Sequence, residues 1–181
     1  EVTGTIDESI RHAITKFSQL HFPANEDARQ RVIRRGEDEA FVHNVGCPRI
    51  DLVANELRRD SFEVLKEARV QGVGPEIDFE KRYLLVSQHP VTTEDCENRH
   101  QIEATLKALE SLSVPTLMLW PNADAGSDAV SKGIRTYREN NNPDWLTVVK
   151  NVPTSTYIHL MNTTACLIGN SSSGLREGTY I

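Results

Sequence analysis

The stretch YLLVSQHPVTTE, residues 83–94, decides the fold. Its first five residues, YLLVS, favour a β-strand whose apolar side chains face both ways, and the run stops at His89-Pro90 before the chain turns polar. A strand apolar on both faces is one covered on both faces, the condition of a parallel sheet between two layers of helices. PTLMLW (115–120), LTVVK (146–150) and CLIG (166–169) have the same character. Between them, 95–112, 125–141 and 154–164 carry helical periodicity, with Ile102, Leu106 and Leu109 forming one apolar stripe. Strand and helix in strict alternation predict an open α/β sheet.

Outward from this core, Ile6, Ile10, Ala13, Ile14, Phe17 and Leu20 keep one face apolar and predict an amphipathic helix over 6–20. Thr3 or Thr5 is its expected N-cap, with Glu8 completing a capping-box pattern from Thr5. HFPA (21–24), a helix near 26–35, and AFVHNVG (40–46) predict a smaller strand, helix, strand unit. Residues 51–82, with Gly72, Gly74 and Pro75 inside, predict one helix followed by a loop.

Bulk properties narrow the function classes. A chain of 181 residues with 38% hydrophobic and 25% charged content is globular and long enough to bury a core. A net charge of −6, with the basic pairs Arg34-Arg35 and Arg58-Arg59 flanked by acids, argues against nucleic acid as a partner. No apolar run approaches the ~18 residues of a membrane helix and no signal-peptide pattern opens the chain, so no membrane association and a cytoplasmic location are expected. Cys47, Cys96 and Cys166 are few, odd in number and far apart, which predicts reduced thiols. No His, Asp and Glu spacing fits a metal site. The chain opens on EVTGT without an initiating Met, which predicts an internal fragment.

In open α/β sheets, ligands bind where loops converge at the carboxyl ends of the strands. His89 follows the first strand, Asn122 and Asp124 the second, Asn151 the third, and Asn170 with Ser171–Ser173 the fourth. Pro90 holds His89 extended, and its imidazole can meet a phosphate, pass a proton, or simply be satisfied by a backbone carbonyl. GNSSSGLREG (169–178) reads as strand, hydroxyl-rich turn and helix start, a pattern suited to an anion or to an ordinary N-capped loop. Glu177, one turn in, can accept from a ribose diol. NADAGSD (122–128) is a ligand loop or an Asx-capped turn. Asp7 and Arg11 share a face of the first helix, as do Glu8 and His12. His100, His159 and His43 read as surface or packing residues.

Taken together, EVTGTIDESIRHAITK, SQHPVTTE, PNADAGSD and GNSSSGLREG, in this order, resemble the UDP-N-acetylglucosamine 2-epimerase family, and within it the hydrolysing branch that begins sialic acid synthesis. The non-hydrolysing branch would carry HRxE-like and PEEANR-like stretches where this chain has HPVTT and TIDESIR. The resemblance implies two facing Rossmann-like domains of the GT-B type. Residues 1–50 would end the first, 51–80 would connect, and 81–181 would form most of the second, nucleotide-binding domain. It further implies a UDP-sugar substrate, no cofactor, and a homo-oligomer, dimer or tetramer.

The roles it implies are specific. Asp7 matches a catalytic carboxylate, Arg11 a nearby cation, and His89 the histidine that contacts the departing diphosphate. Ser171, Ser172 and Ser173 match the diphosphate cradle, Glu177 the ribose contact, and Arg176 a position in the same stretch. Asn122 and Asp124 match a loop on the nucleotide side. Asn151, Val152 and Pro153, before Tyr157, match the stretch that holds the uracil. The implied reaction releases N-acetylmannosamine and UDP, or the equivalent from a diacetamido sugar. A non-hydrolysing epimerase, or a nucleotide-sugar binding module without turnover, shares the fold and cradle.

Overall fold

The computed structural model describes residues 6–91 and 97–181. It divides between Leu52 and Val53 into two compact units.

In the first unit, α1 (Ile6–Phe17) forms where the apolar spacing predicts but ends short of Leu20, and α2 (Glu26–Arg34) forms where a helix near 26–35 is expected. Asn25 Oδ1 accepts the Ala28 N–H at 2.8 Å, satisfying one of the amides a helix start leaves unpaired. The expected N-cap, Thr3 or Thr5, lies outside the described residues. The apolar face of α1 is present but open, with Ile10, Ile14 and Phe17, and Leu20 beyond its end, all exposed. HFPA and AFVHNVG do not become strands: they meet in a single parallel bridge, His21 to Val42. Asp38 accepts the Ala40 N–H and winds Glu39–Phe41 into a 3₁₀ turn, so the pairing on that side goes no further than the Phe41 carbonyl, which accepts the His21 N–H at 2.9 Å. Pro23, which has no N–H, limits the ladder on the other side.

Beyond α3 (Pro48–Glu56) the chain does not continue as one helix and a loop. It stops, and α4 (Ser61–Ala68) restarts because Asp60 accepts the Glu63 N–H at 2.9 Å. The segment after α4 returns along the sheet, where Val73 and Val148 exchange backbone bonds at 2.8 and 3.1 Å. Gly74 lies so close to the Leu146 carbonyl, at φ +142°, that a β-carbon has no room. The edge of the sheet is thereby covered by the chain's own connector.

The sheet itself follows the prediction: β1 (Leu84–Ser87), β2 (Thr116–Leu119), β3 (Leu146–Val149) and β4 (Cys166–Gly169), all parallel, in the order β3-β2-β1-β4. The crossovers are α5 (Asn98–Leu112), α6 (Ser127–Asn141) and α7 (Thr154–Thr163). Side chains of one strand alternate between two cores. Leu84 and Val86 pack with Ile102, Leu106, Leu109, Val130 and Ile134 of α5 and α6. Leu85 and Tyr83 pack on the opposite face with Leu65 of α4 and Leu160 of α7. Each fully buried aliphatic side chain contributes about 1.5–3 kcal/mol, so the two-faced burial of β1 holds this unit together. Cys47 and Cys166 are free thiols.

His159 is fully buried on α7, as a packing residue should be, but in a polar nest rather than among aliphatics. Its Nδ1 lies 2.9 Å from the Ser61 hydroxyl, and Asn162 Nδ2 donates to that same hydroxyl at 2.9 Å. Its Nε2 lies 3.5 Å from the Glu56 carboxylate. The nest fastens the ends of α3 and α4 to α7.

Candidate functional site

Parallel pairing of β1 with both β2 and β4 puts their carboxyl ends, and the loops that follow, side by side. His89 stands two residues past the end of β1. Asn170, one residue past β4, accepts the His89 N–H through Oδ1 at 2.7 Å and donates through Nδ2 to the His89 carbonyl at 2.9 Å. One amide thus acts as a strand partner for one residue. Asn98, buried at the start of α5, does the same for Val91, with Oδ1 accepting its N–H at 2.7 Å and Nδ2 donating to its carbonyl at 3.3 Å. The His89-Pro90-Val91 segment is held at both ends by side chains that read only its backbone.

The His89 ring is placed by two further groups. Nδ1 accepts the Asn122 N–H at 3.4 Å, which puts the ring proton of the neutral form on Nε2, 3.3 Å from the Ser87 hydroxyl. Partial burial draws the His89 pKa below its ordinary value, and the Asp124 carboxylate partly offsets this. Burial is the larger effect, so the ring is neutral at neutral pH. A neutral imidazole beside a carboxylate can take up a proton and release it without large reorganisation.

The loop after β4 is fixed by Gly169, whose φ of +136° and close approach to the Ser87 carbonyl exclude any side chain. Beyond it, the hydroxyls of Ser171 and Ser173 lie 2.8 Å apart, and Ser173 lies 2.7 Å from the Tyr157 hydroxyl. Ser172 is exposed. The short helix α8 (Ser173–Arg176) follows. Glu177 is buried, and Arg176 donates to both of its carboxylate oxygens at 3.3 and 3.2 Å. Val152 and Pro153 precede α7, with the Tyr157 N–H donating to the Pro153 carbonyl at 2.9 Å.

The structure therefore joins His89, Asn122 and Asp124 to the Asn170–Ser173 loop, and Arg176 to Glu177. Arg11 lies on α1 in the first unit, and the Asp7 side chain lies outside the described residues. Asn98 and Tyr157 were not among the site residues expected from the sequence, and Asn170 was named there at a strand end without a role of its own. Asn170 alone carried a signal, its position at a strand end.

A cavity of about 400 Å³ opens beside this site, lined by Gln88, Val91, Gln101, Thr105 and Asn170. A larger one, about 660 Å³, lies between α4, the connector and the starts of β2 and β3. The larger cavity has no strand-end group in its lining, and the smaller one meets the site through Asn170, with His89, Asn122, Asp124 and Ser171–Ser173 outside the lining of both. Among the described residues no group of three or more His, Cys, Asp or Glu could hold a metal ion, and no helix is long and apolar enough to cross a membrane.

A parallel sheet between helix layers, with polar loops gathered at its strand ends, defines a Rossmann-like α/β unit. The sequence matches the family described as UDP-N-acetylglucosamine 2-epimerase over residues 1–181, and the chain belongs to that family. It is 32% identical over 179 residues to the UDP-N,N'-diacetylbacillosamine 2-epimerase (hydrolyzing) of Legionella pneumophila, covering 98% of this chain and 44% of the relative. It is 31% identical over 177 residues to the UDP-N-acetylglucosamine 2-epimerase of Neisseria meningitidis serogroup B, with the same coverages of 98% and 44%. The chain thus spans less than half the length of these relatives.

The fold is that of the Neisseria meningitidis UDP-GlcNAc 2-epimerase crystallised with UDP-GlcNAc, at a TM-score of 0.71 and 16% identity over 93% of this chain and 44% of that one. The Methanocaldococcus jannaschii enzyme in complex with UDP-GlcNAc and UDP aligns at a TM-score of 0.62 and 14% identity over 90% of this chain and 43% of that one. The α/β architecture here is accordingly part of a GT-B-type fold.

Proposed function

We propose that the full-length polypeptide is a hydrolysing UDP-N-acetylglucosamine 2-epimerase, converting UDP-GlcNAc to N-acetylmannosamine and UDP. The observation that carries the reading is His89. In a chain that belongs to this family, it is held at the strand ends between the Asn122 loop and the Asn170–Ser173 loop.

The reaction needs three things: a base for the C2 proton, help for the departing diphosphate, and donors for its charge. Asp7 takes the proton and Arg11 assists as a nearby cation. The bond from C1 to the diphosphate oxygen breaks as the C1–C2 double bond forms, and His89 contacts the leaving group. Water then adds, its hydroxyl to C1 and a proton to C2 from the opposite face. Ser171, Ser172 and Ser173 cradle the diphosphate, with Arg176 beside them, and Glu177 accepts from the ribose. Val152 and Pro153 hold the uracil, and Asn122 and Asp124 line the nucleotide side.

Turnover of UDP-GlcNAc in deuterated water, followed by NMR, tests this. Free UDP and N-acetylmannosamine carrying deuterium at C2 are expected. Accumulation of UDP-N-acetylmannosamine would instead assign the non-hydrolysing reaction. The Legionella pneumophila relative favours offering the diacetamido sugar in parallel.

A further inference from the structure

We propose that Tyr157 is a positioning residue which turns the Ser171 hydroxyl outward, as a donor to a diphosphate oxygen of the substrate. The inference rests on the nucleotide-sugar reading above and adds to it a residue sixteen positions away from the loop it acts on, reached through the 2.7 Å contact with Ser173.

The argument is a count of protons. Three hydroxyls stand in a row, Tyr157 to Ser173 at 2.7 Å and Ser173 to Ser171 at 2.8 Å. Each brings one proton, the two contacts use two of them, and one remains to leave the row. Which end it leaves from is set by chemistry. A phenol is the more acidic hydroxyl and the poorer acceptor, so Tyr157 is best placed to donate. Ser173 then accepts from Tyr157 and donates to Ser171. The Ser173 N–H also points at Ser171 Oγ, at 3.4 Å, and favours that oxygen as an acceptor. With its lone pairs facing Ser173, Ser171 carries the remaining proton away from the row. Hydrogen bonds in series polarise one another, so the outward O–H is a stronger donor than an isolated serine.

The anchor of the row is firm. Ser173 is buried, Tyr157 is half-buried, and α7 carries Tyr157 next to Thr156 and Ile158 to Met161, all buried. Without the phenol oxygen, Ser171 is free to turn its proton back to Ser173, and the outward donor is lost while the loop's shape remains.

The test compares UDP with uridine, which shares the base and ribose but has no phosphate. In the full-length polypeptide, Tyr157→Phe should weaken UDP binding by about tenfold, the equivalent of one hydrogen bond to a charged group. Uridine affinity should stay within twofold. Ser171→Ala should cost UDP a similar factor, and adding it to Tyr157→Phe should cost less than twofold more, because the two act through one proton. The inference is overturned if Tyr157→Phe leaves UDP binding within twofold, if uridine is weakened equally, or if the two losses multiply. Should Tyr157→Phe unfold the protein, Tyr157→Met, which also removes the phenol oxygen and leaves the cradle serines in place, takes its place in the same comparison. A wild-type protein that binds uridine but gains nothing from the diphosphate overturns the cradle reading as well, and one that binds neither overturns the nucleotide-sugar reading.

Discussion

Asn170 serves as a one-residue strand partner for His89, eighty-one positions away, accepting its N–H at 2.7 Å and donating to its carbonyl at 2.9 Å. The clamp ties the end of β1 to the loop after β4. Asn170→Ala should therefore slow release of UDP from UDP-GlcNAc by roughly tenfold while costing about 1 kcal/mol of stability, since the amide is exposed and water replaces part of what is lost. Asn170→Asp keeps the acceptor but not the donor and should recover part of the rate. Steady-state assays and urea denaturation of the three proteins give the comparison, and equal rates in all three would remove Asn170 from the site.

The lowered pKa of His89 makes a signed prediction for stability. In the unfolded chain the imidazole takes up a proton near its ordinary value of about 6.5, whereas the folded site resists it to lower pH. Below pH about 6.5 the unfolded state therefore binds more protons, and stability falls as the pH drops toward the folded value. His89→Gln should flatten this part of the profile. Thermal melts of both proteins across pH 5–8 measure the difference, which should vanish above about pH 7.

At the alkaline end the sign reverses in origin. Burial raises the Tyr83 hydroxyl to about 12, while it donates to the Leu160 carbonyl at 2.8 Å. An unfolded tyrosine ionises near 10, so the stability contributed by the neutral buried phenol is present below about pH 10 and lost on the way to 12. Tyr83→Phe should be less stable at pH 8 by about 1 kcal/mol, through loss of the hydrogen bond, and should fall less steeply above pH 10. Denaturant titrations at pH 8 and pH 10.5 check both statements.

The polar nest beneath α7 should matter for folding and not for the ligand. Ser61 is buried, and its hydroxyl meets both His159 Nδ1 and Asn162 Nδ2. Ser61→Ala leaves those nitrogens without this partner and should cost about 1–3 kcal/mol by urea denaturation, with UDP affinity within twofold of wild type. A change of tenfold or more in UDP affinity would mean that the nest reaches the site.

Gly169 should tolerate no replacement. Gly169→Ala sets a β-carbon against the Ser87 carbonyl at a φ of +136°, and the loss expected is about 2 kcal/mol or more, with weaker UDP binding because the Asn170–Ser173 loop moves with it. A melting temperature unchanged by this substitution would contradict the close approach.

Some of this was legible along the chain because it depends on near neighbours. The alternation of LLVS, TLML and LTVV with helical stripes gave the sheet, since burial on both faces leaves an apolar run that needs no tertiary knowledge to see, whereas CLIG, expected to be covered in the same way, forms a strand at the end of the order and is only part-buried to exposed. The His89, Asn122 and Ser171–Ser173 clusters were legible for a related reason: the carboxyl end of a parallel strand is fixed once the strand is. Less legible were HFPA and AFVHNVG, which have strand-like composition but lose their pairing to the Asp38 turn and to Pro23. The restart of α4 at Asp60 carried a local signal, an Asp three residues before Glu63, that its polar surroundings hid.

What the sequence by itself determined is the parallel α/β class, the strand ends and the family, all properties of short stretches and their order. What only the tertiary structure decided is which side chains finish the site. Asn98 and Asn170 grip the backbone around His89, and Tyr157 orders the hydroxyls of Ser173 and Ser171. Arg176 closes on a Glu177 that turns out to be buried. The clamps and the hydroxyl row are contacts between groups lying from two to eighty-one residues apart, and periodicity carries no information about them, because a hydrogen bond depends on where two atoms arrive and not on what precedes them in the chain.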